Sequence, residues 1–415
     1  MPSSRPDRPD PAPISRRRMT VVLIASIVFT VGDGSAQLIM SPHLQTRGLE
    51  PATIGTMIAG YSIAALVFRF ITGALYRPRT SRALIVSGCA MTLGALLVTA
   101  GATDPLVLRA SIAVNGAGFA IVSTGTLAAV MDMRRGTNAG VAMGVFTGMI
   151  GAGYAIANFL GGALADLVGT AATIRLTALL PVLAAVLLVP ALSTLSSSDA
   201  TPRRPAEPTE SAAAARTVSP AQRLQRLLMT GPLVWLAFLA GLHVNLLSGI
   251  LATFFPLYAL AIGLTFTQIG TLNGISATIS SLVRFGSGAL FARVPYRPTM
   301  PWMVALGSLG VAMFALPEPA FLLLVVAFAA VGTSRGVLRV ASAALTMDGA
   351  GEESGARGRA TGIYMAGLDL GRILAPIAGG LAVEVIGFRG TFLLSALLIP
   401  AIYTGFALRL RASSA

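Results

Sequence analysis

Residues 48–75 read GLEPATIGTMIAGYSIAALVFRFITGAL, and residues 263–290 read GLTFTQIGTLNGISATISSLVRFGSGAL. At a constant offset of 215 the two stretches share ten identities. Gly48-Leu49 matches Gly263-Leu264, Ile54-Gly55-Thr56 matches Ile269-Gly270-Thr271, Arg69-Phe70 matches Arg284-Phe285, and Gly73-Ala74-Leu75 matches Gly288-Ala289-Leu290. Each stretch is apolar over more than 20 residues. At a helical rise of about 1.5 Å per residue, about 20 apolar residues cross a hydrocarbon layer roughly 30 Å thick. The pair therefore predicts two copies of one membrane-spanning unit.

The repeat extends outward from this core. Leu127-Ala128-Ala129-Val130-Met131-Asp132 resembles Ala343-Ala344-Leu345-Thr346-Met347-Asp348. At an offset of 218, Gly144, Gly153, Gly161, Gly162 and Gly169 match Gly362, Gly371, Gly379, Gly380 and Gly387. Apolar runs then predict six spans over 19–42, 53–76, 82–101, 106–131, 138–165 and 172–195. Six more are predicted over 232–258, 266–291, 299–316, 320–346, 358–384 and 389–410. The expected fold is an all-α membrane protein of twelve helices in two pseudo-symmetric six-helix bundles, 19–195 and 230–411. Residues 1–18 are expected to form a disordered cytoplasmic tail, and 196–229, rich in Ser, Pro, Ala and Arg, a cytoplasmic linker. Residues 219–228 suggest a short interfacial amphipathic helix in that linker. Two parallel six-helix repeats enclosing a midplane site are transporter architecture.

Composition agrees and closes off other classes. Of 415 residues, 54% are hydrophobic and 11% charged, with mean hydropathy +0.78; soluble domains carry roughly 25% charged residues. The net charge of +14 comes from thirty Arg and no Lys. Most of these sit in short stretches between apolar runs, which offer no basic recognition face for nucleic acid. Without Lys there is no Walker A loop and no Schiff-base lysine. One Cys and two His exclude a Cys/His zinc cluster and an internal disulfide. No metal or cofactor is expected, and ATP-driven transport would require a separate subunit. An intramembrane enzyme would need clustered nucleophiles or acids, which the pattern lacks.

The Arg distribution orients the bundle. Twenty-one fall in segments that are cytoplasmic if the N-terminus is inside, four fall on the opposite side and five lie within spans. By the positive-inside rule both termini are cytoplasmic, and the expected location is the cytoplasmic membrane. Ser15-Arg16-Arg17-Arg18 before an apolar run has the outline of a secretory or twin-arginine leader. The run is long enough to span, however, and its removal would break the repeat, so it reads as the first helix.

These features together resemble the major facilitator superfamily. The chain from about residue 16 onward has the six-plus-six repeat, the long linker and a glycine-led basic loop, Gly73 to Arg82 with Arg77 and Arg79. Gly116 and Gly118 fit its fourth-span pattern, and the fifth-span glycines, with Gly148 among them, are similar to its antiporter motif. The resemblance implies a monomeric carrier for a small molecule, with spans 1, 4, 7 and 10 lining a central cavity. It also implies gating roles for Gly73, Arg77, Arg79, Arg82, Arg69, Arg284, Gly144, Gly148 and Gly153.

Charges inside a bilayer are costly and face a cavity or a partner. Only Asp33 and Asp369 are acids near mid-span, and they are the candidates for proton coupling. Asp33 lies in Gly32-Asp33-Gly34, where the glycines admit a ligand or a neighbouring backbone. Asp369 and Arg372 share a helix face and are positioned to pair. Arg335 and Arg339, four apart on the tenth span, suggest recognition of an anion by forked donors, or neutralisation of an acid across the interface. Arg69 and Arg284 read as snorkelling or as ties to helix ends. With Arg372, the candidate substrate contacts are His243, Asn245, Asn115 and Asn158. His43 and Asp166 are expected at solvated helix ends, and Tyr61, Phe254, Phe255 and Tyr364 along a substrate wall. The first functional reading is proton-coupled export of a small amphipathic or anionic compound. Proton-coupled uptake of an organic anion is the alternative, and a non-transporting receptor or scaffold of this fold is the reading from another class.

Overall fold

The structure is a computed structural model that describes residues 16–133, 139–192, 231–291, 293–317, 319–350 and 356–413. The N-terminal tail, the linker and its amphipathic segment therefore lie outside the described residues. The described elements are helices, the arrangement that satisfies every backbone polar group within an apolar solvent. They are α1 (Arg16–Thr46), α2 (Pro51–Leu75), α3 (Ser81–Gly101), α4 (Pro105–Met133), α5 (Ala139–Val168), α6 (Thr170–Thr177) and α7 (Leu180–Ala191) in the first half. In the second half they are α8 (Pro232–Ala261), α9 (Phe266–Phe291), α10 (Tyr296–Ala312), α11 (Phe321–Gly349) and α12 (Ala356–Ser413).

Two boundaries depart from twelve separate helices. The sixth span breaks into α6 and α7, with Pro181 opening the second piece. The eleventh and twelfth run together as α12, which bends at Gly387 with φ 71° and ψ 175°. Among the described residues, ten helices are long and apolar enough to cross a membrane. One of these is the 54-residue stretch Ala356–Arg409, far longer than the roughly 20 residues one crossing needs.

Local sequence explains several helix starts. Asp104 accepts hydrogen bonds from the N–H groups of Leu106 (2.8 Å) and Val107 (2.9 Å), capping α4 ahead of Pro105. Thr265 and Gln268 form a reciprocal capping box on α9. The turns at the distal end of the molecule, opposite Arg16, depend on glycine for conformation. Gly48, Gly169, Gly263 and Gly387 have φ of 77°, 78°, 84° and 71°, and a side chain at each would meet nothing within 4 Å. They form two repeat-related pairs, so backbone geometry is repeated along with sequence.

Within the first half α1 packs on α5 and α7, and α4 packs on α2 and α3; within the second, α8 packs on α11 and α12, and α11 on α9 and α10. The halves meet through α5 against α9 and α2 against α12. The glycine series makes both kinds of contact. Gly153 and Gly161 face α1 at Thr30 and Ser35, while Gly371 and Gly379 face α8 at Leu242 and Phe254. Gly162 lies on Phe266 and Gly270 of α9, and Gly380 lies on Pro51 and Ala52 of α2. Gly55 meets the Pro376 carbonyl, and Gly270 meets that of Asn158. These are small-residue contacts that let helix backbones touch.

Phe254 and Phe255, expected along a substrate wall, are fully buried. Phe255 packs in an aromatic cluster with Phe328 (4.7 Å between centroids) and Phe314 (5.1 Å). His43 is likewise 1% exposed rather than solvated, its ring nitrogens 3.2 Å from Thr170 Oγ1 and 3.1 Å from the Thr99 carbonyl.

Candidate functional site

Asp33 is completely buried on α1. The Gln37 amide, one turn along the same helix, donates to its Oδ2 and also to the Tyr61 hydroxyl at 2.7 Å. Tyr61 of α2 donates to Oδ2 at 3.1 Å, and Asn115 of α4 donates to Oδ1 at 3.3 Å. The carboxylate is thus held by three neutral donors from three helices, with no cation at salt-bridge distance among the described residues. The flanking glycines have a packing cause. A side chain at Gly32 would sit 2.9 Å from Leu180 of α7, and one at Gly34 would sit 2.8 Å from the Tyr154 ring of α5.

Across the interface stand the basic groups. Asp369 pairs with Arg69 of α2 at 3.6 Å. This replaces the expected partnership with Arg372 and gives Arg69 a bridging role between the halves instead of a snorkelling one. The pair is partly open, with side-chain exposures of 36% and 27%. Arg372 is within electrostatic range of Asp33, Asp369, Tyr61 and Tyr154. Arg339 donates to Asn245 Oδ1 at 2.9 Å, and Asn245 donates to the Leu368 carbonyl at 2.7 Å, tying α11, α8 and α12 together. Arg284 donates to Ser280 Oγ, one turn back on its own helix, at 2.9 Å.

Arg335 Nε, both ring nitrogens of His243, and the Tyr154 hydroxyl are buried without hydrogen-bond partners. The groups acting most strongly on Arg335 are three other guanidiniums, Arg284, Arg339 and Arg372, and Tyr154. Buried polar groups normally find a partner in protein or ordered water, so among the described residues these atoms are left for a partner outside the chain.

The remaining candidates are more peripheral. Asn158 meets α9 through its backbone carbonyl at Gly270. Gly148 faces the Phe285 ring, and Gly73 meets nothing within 4 Å. The side chains around Gly144 lie outside the described residues. Arg77, Arg79 and Arg82 lie in and beside the loop between α2 and α3, where Tyr76 donates to Asp132 at 3.1 Å. In the other half Tyr296 donates to Asp348, which also pairs with Arg297 at 2.9 Å. Tyr364, also expected along a substrate wall, is buried, its hydroxyl near Ser342 Oγ and the Arg339 carbonyl.

Sequence reasoning missed Gln37, Tyr154 and the part played by Tyr61. Gln37 was within reach, since it lies four residues from Asp33 on one helix. It also missed a function for two acids at the distal end. Asp166 is exposed, but both its oxygens accept N–H groups at the start of α9, from Phe266 (2.9 Å) and Thr267 (2.7 Å). Glu384 accepts from Ala52 at the start of α2 (2.9 Å). The two acids are related by the same offset of 218 as the glycines.

The sequence profile of the Major Facilitator Superfamily matches residues 22–356. The crystal structure of nucleoside transporter NupG is similar in fold, with a TM-score of 0.74 over 94% of this chain and 99% of that one, at 14% identity. A crystal structure of a mutant of the same transporter gives 0.73 at 15% identity over the same shares. No curated protein sequence matches the chain.

Proposed function

The chain belongs to the Major Facilitator Superfamily, and from that premise we propose a proton-coupled secondary transporter of a small organic anion, with twelve membrane crossings, both termini cytoplasmic and the distal end external. The family makes it a transporter rather than an enzyme. The observation that carries the finer reading is the juxtaposition of Asp33, a buried acid with neutral partners, and a set of guanidiniums with a single bridging acid, Asp369.

The sign of the coupling follows from electrostatics. When Asp33 takes a proton, one negative charge near Arg372 disappears and the interior becomes more positive. A bound anion is then held more tightly, and by linkage a bound anion favours the protonated acid. Proton and anion travel together, so an inward proton gradient drives uptake. This favours the uptake reading over export. Export keeps a specific support in the α5 glycine series, and it requires proton and solute to exclude each other.

The experiment is transport by purified protein in proteoliposomes, with radiolabelled carboxylic acids supplied outside and an imposed pH difference. Acid outside should drive accumulation of the acidic solute and leave its amide analogue behind. Solute movement outward against the proton flow would replace uptake with export. Equal handling of acid and amide would remove the anion from the reading.

A further inference from the structure

The two oxygens of Asp33 are held unequally. Oδ2 accepts from the Gln37 amide and from the Tyr61 hydroxyl, the latter at 3.1 Å. Gln37 also donates to the Tyr61 oxygen at 2.7 Å, so these three groups close on one another. Oδ1 has a single donor among the described residues, Asn115 Nδ2 at 3.3 Å, and Asn115 Oδ1 is buried with no partner. The second half has no such group. At the offset of 215, Asp33, Gln37 and Tyr61 become Ser248, Ala252 and Ser276, and Ser248 lines a small recess together with Arg335 instead.

A protonated carboxyl is a donor and needs an acceptor. At Oδ2 the new proton would meet two donors; Gln37 would have to turn over and Tyr61 to redirect its own proton. At Oδ1 it meets one amide. A half-turn of that amide puts its oxygen where its nitrogen stood, at the same reach, and the oxygen has no partner to lose. The helices need not move. Gly116, next along α4, packs on the backbone of Tyr61, where a side chain would overlap the Tyr61 carbonyl. The α2–α4 contact thus keeps Tyr61 and Asn115 in register around Asp33.

We propose that the coupling proton binds Asp33 at Oδ1, and that Asn115 is its positioning residue, turning its amide to donate to the charged form and to accept from the neutral one. The assignment rests on the proton-coupled reading and gives it an atom. An O–H bond forms at Oδ1, and the hydrogen bond from Asn115 Nδ2 is exchanged for one to Asn115 Oδ1. Tyr61 and Gln37 remain donors to Oδ2 in both forms. The titratable groups acting on the carboxyl are Tyr61 of α2, Tyr154 of α5 and Arg372 of α12. The other helices packed on α1 carry Arg109 and Asp132 near the ends of α4, Arg175 on α6, and His243 and Tyr258 on α8; α7 carries none. Because Asn115 serves both forms, it fixes where the proton sits without favouring either, whereas Tyr61 favours the charged form.

The test follows the purified full-length protein in lipid by infrared difference spectroscopy, titrated from alkaline to acid pH. The carbonyl stretch of a protonated carboxyl should appear, and should be missing in Asp33→Asn. In protein grown with asparagine isotope-labelled at the side-chain carbonyl, an amide band should move to lower frequency with the same midpoint, since its oxygen gains a hydrogen bond. Asn115→Leu should remove that band and leave the proton affinity of Asp33 within about threefold. Tyr61→Phe, which removes a donor to the charged form, should raise the affinity about tenfold or more and sets the scale for that comparison. Where Asn115→Leu does not fold, Asn115→Ser, whose hydroxyl can also donate or accept, replaces it in both measurements. An Asp33 band that titrates while the Asn115 amide stays silent, or a rise of about tenfold in affinity on removing the amide, makes Asn115 a fixed donor; the proposal falls and the proton-coupled reading stands. A spectrum without an Asp33 band takes the proton from Asp33, and both fall together.

Discussion

At the distal seam, Asp166 of α5 accepts the first N–H groups of α9, and Glu384 of α12 does the same for α2, 218 residues later. Gly162 and Gly380 sit beside them on the same partner helices. Deeper along these four helices the repeat is broken. Arg69 has an acid across the interface in Asp369, whereas the counterpart of that acid on α5 is Gly151, packed on Ser281; Arg284 donates to Ser280 on its own helix. Asp33 has Ser248 as its counterpart. Contacts that hold two rocking bodies together need only be alike on both sides. A solute site that binds a proton in one half and an anion in the other needs halves that differ. Under the proposed carrier reading, sameness would mark the seam between the halves and difference the chemistry.

The largest effect comes from removing the difference at Asp33. Asp33→Asn keeps the size and a hydrogen-bonding group while fixing the neutral form. In the co-transport reading one proton per monovalent anion gives about tenfold accumulation per pH unit, since one unit equals 1.36 kcal/mol. Asp33→Asn should reduce that to none while solute exchange across the membrane continues. Wild-type accumulation that still collapses with a protonophore would pass the proton role to Asp369.

Next is restoring the symmetry. Ser248→Asp places a carboxylate in the second half where the first half has one. It should act as a tethered counter-ion to Arg335 and raise the KM for an acidic solute at least about tenfold, the scale of one charge-assisted bond, with a smaller change for a neutral analogue. Equal changes for both solutes would mean that this position does not sense solute charge.

The scaffold is legible because it is repeated. Ten identities at one offset and five glycines at another define the two bundles, and the positive-φ turns at Gly48, Gly169, Gly263 and Gly387 follow the same arithmetic. Asp33 stands out because an acid in an apolar run is conspicuous. Its partner Tyr61 reads only as an aromatic, since pairing across helices depends on rotation about each axis and apolar flanks do not specify it. For the same reason sequence matches Asp369 to Arg372, a turn away on its own helix, when the fold supplies Arg69. Asp166 looks solvated by position; its equivalence to Glu384 is visible in the offset and marks both as part of the seam.

A smaller effect is expected from the Arg69–Asp369 bridge. With both side chains about a third exposed and 3.6 Å apart, it resembles a surface ion pair, worth about 0–1 kcal/mol. A double-mutant cycle of Arg69→Gln and Asp369→Asn, read by thermal stability, should give a coupling of that size. A much larger coupling would make the pair a principal lock between the halves and weaken the division between seam and chemistry.

The smallest effect tests the seam's symmetry itself. Asp166 accepts two N–H groups and Glu384 one, at exposed helix starts where a cap is worth about 1 kcal/mol. Removing either carboxylate's charge should shift the equilibrium toward distal opening by about fivefold at most, with Asp166→Asn exceeding Glu384→Gln. Cys89 is buried, so a reporter cysteine in place of the fully buried Ile269, near the start of α9, gives a readable signal over a low background. Labelling by a membrane-impermeant maleimide added to intact cells, with the distal end external as proposed, should quicken in each single variant. Because the two caps sit on different helix pairs and share no partner, their effects on the rate should multiply in the double variant. A double variant no faster than the better single would show that one strand of the seam governs opening, and the two-fold equivalence of the caps would then be one of sequence and geometry without being one of energy.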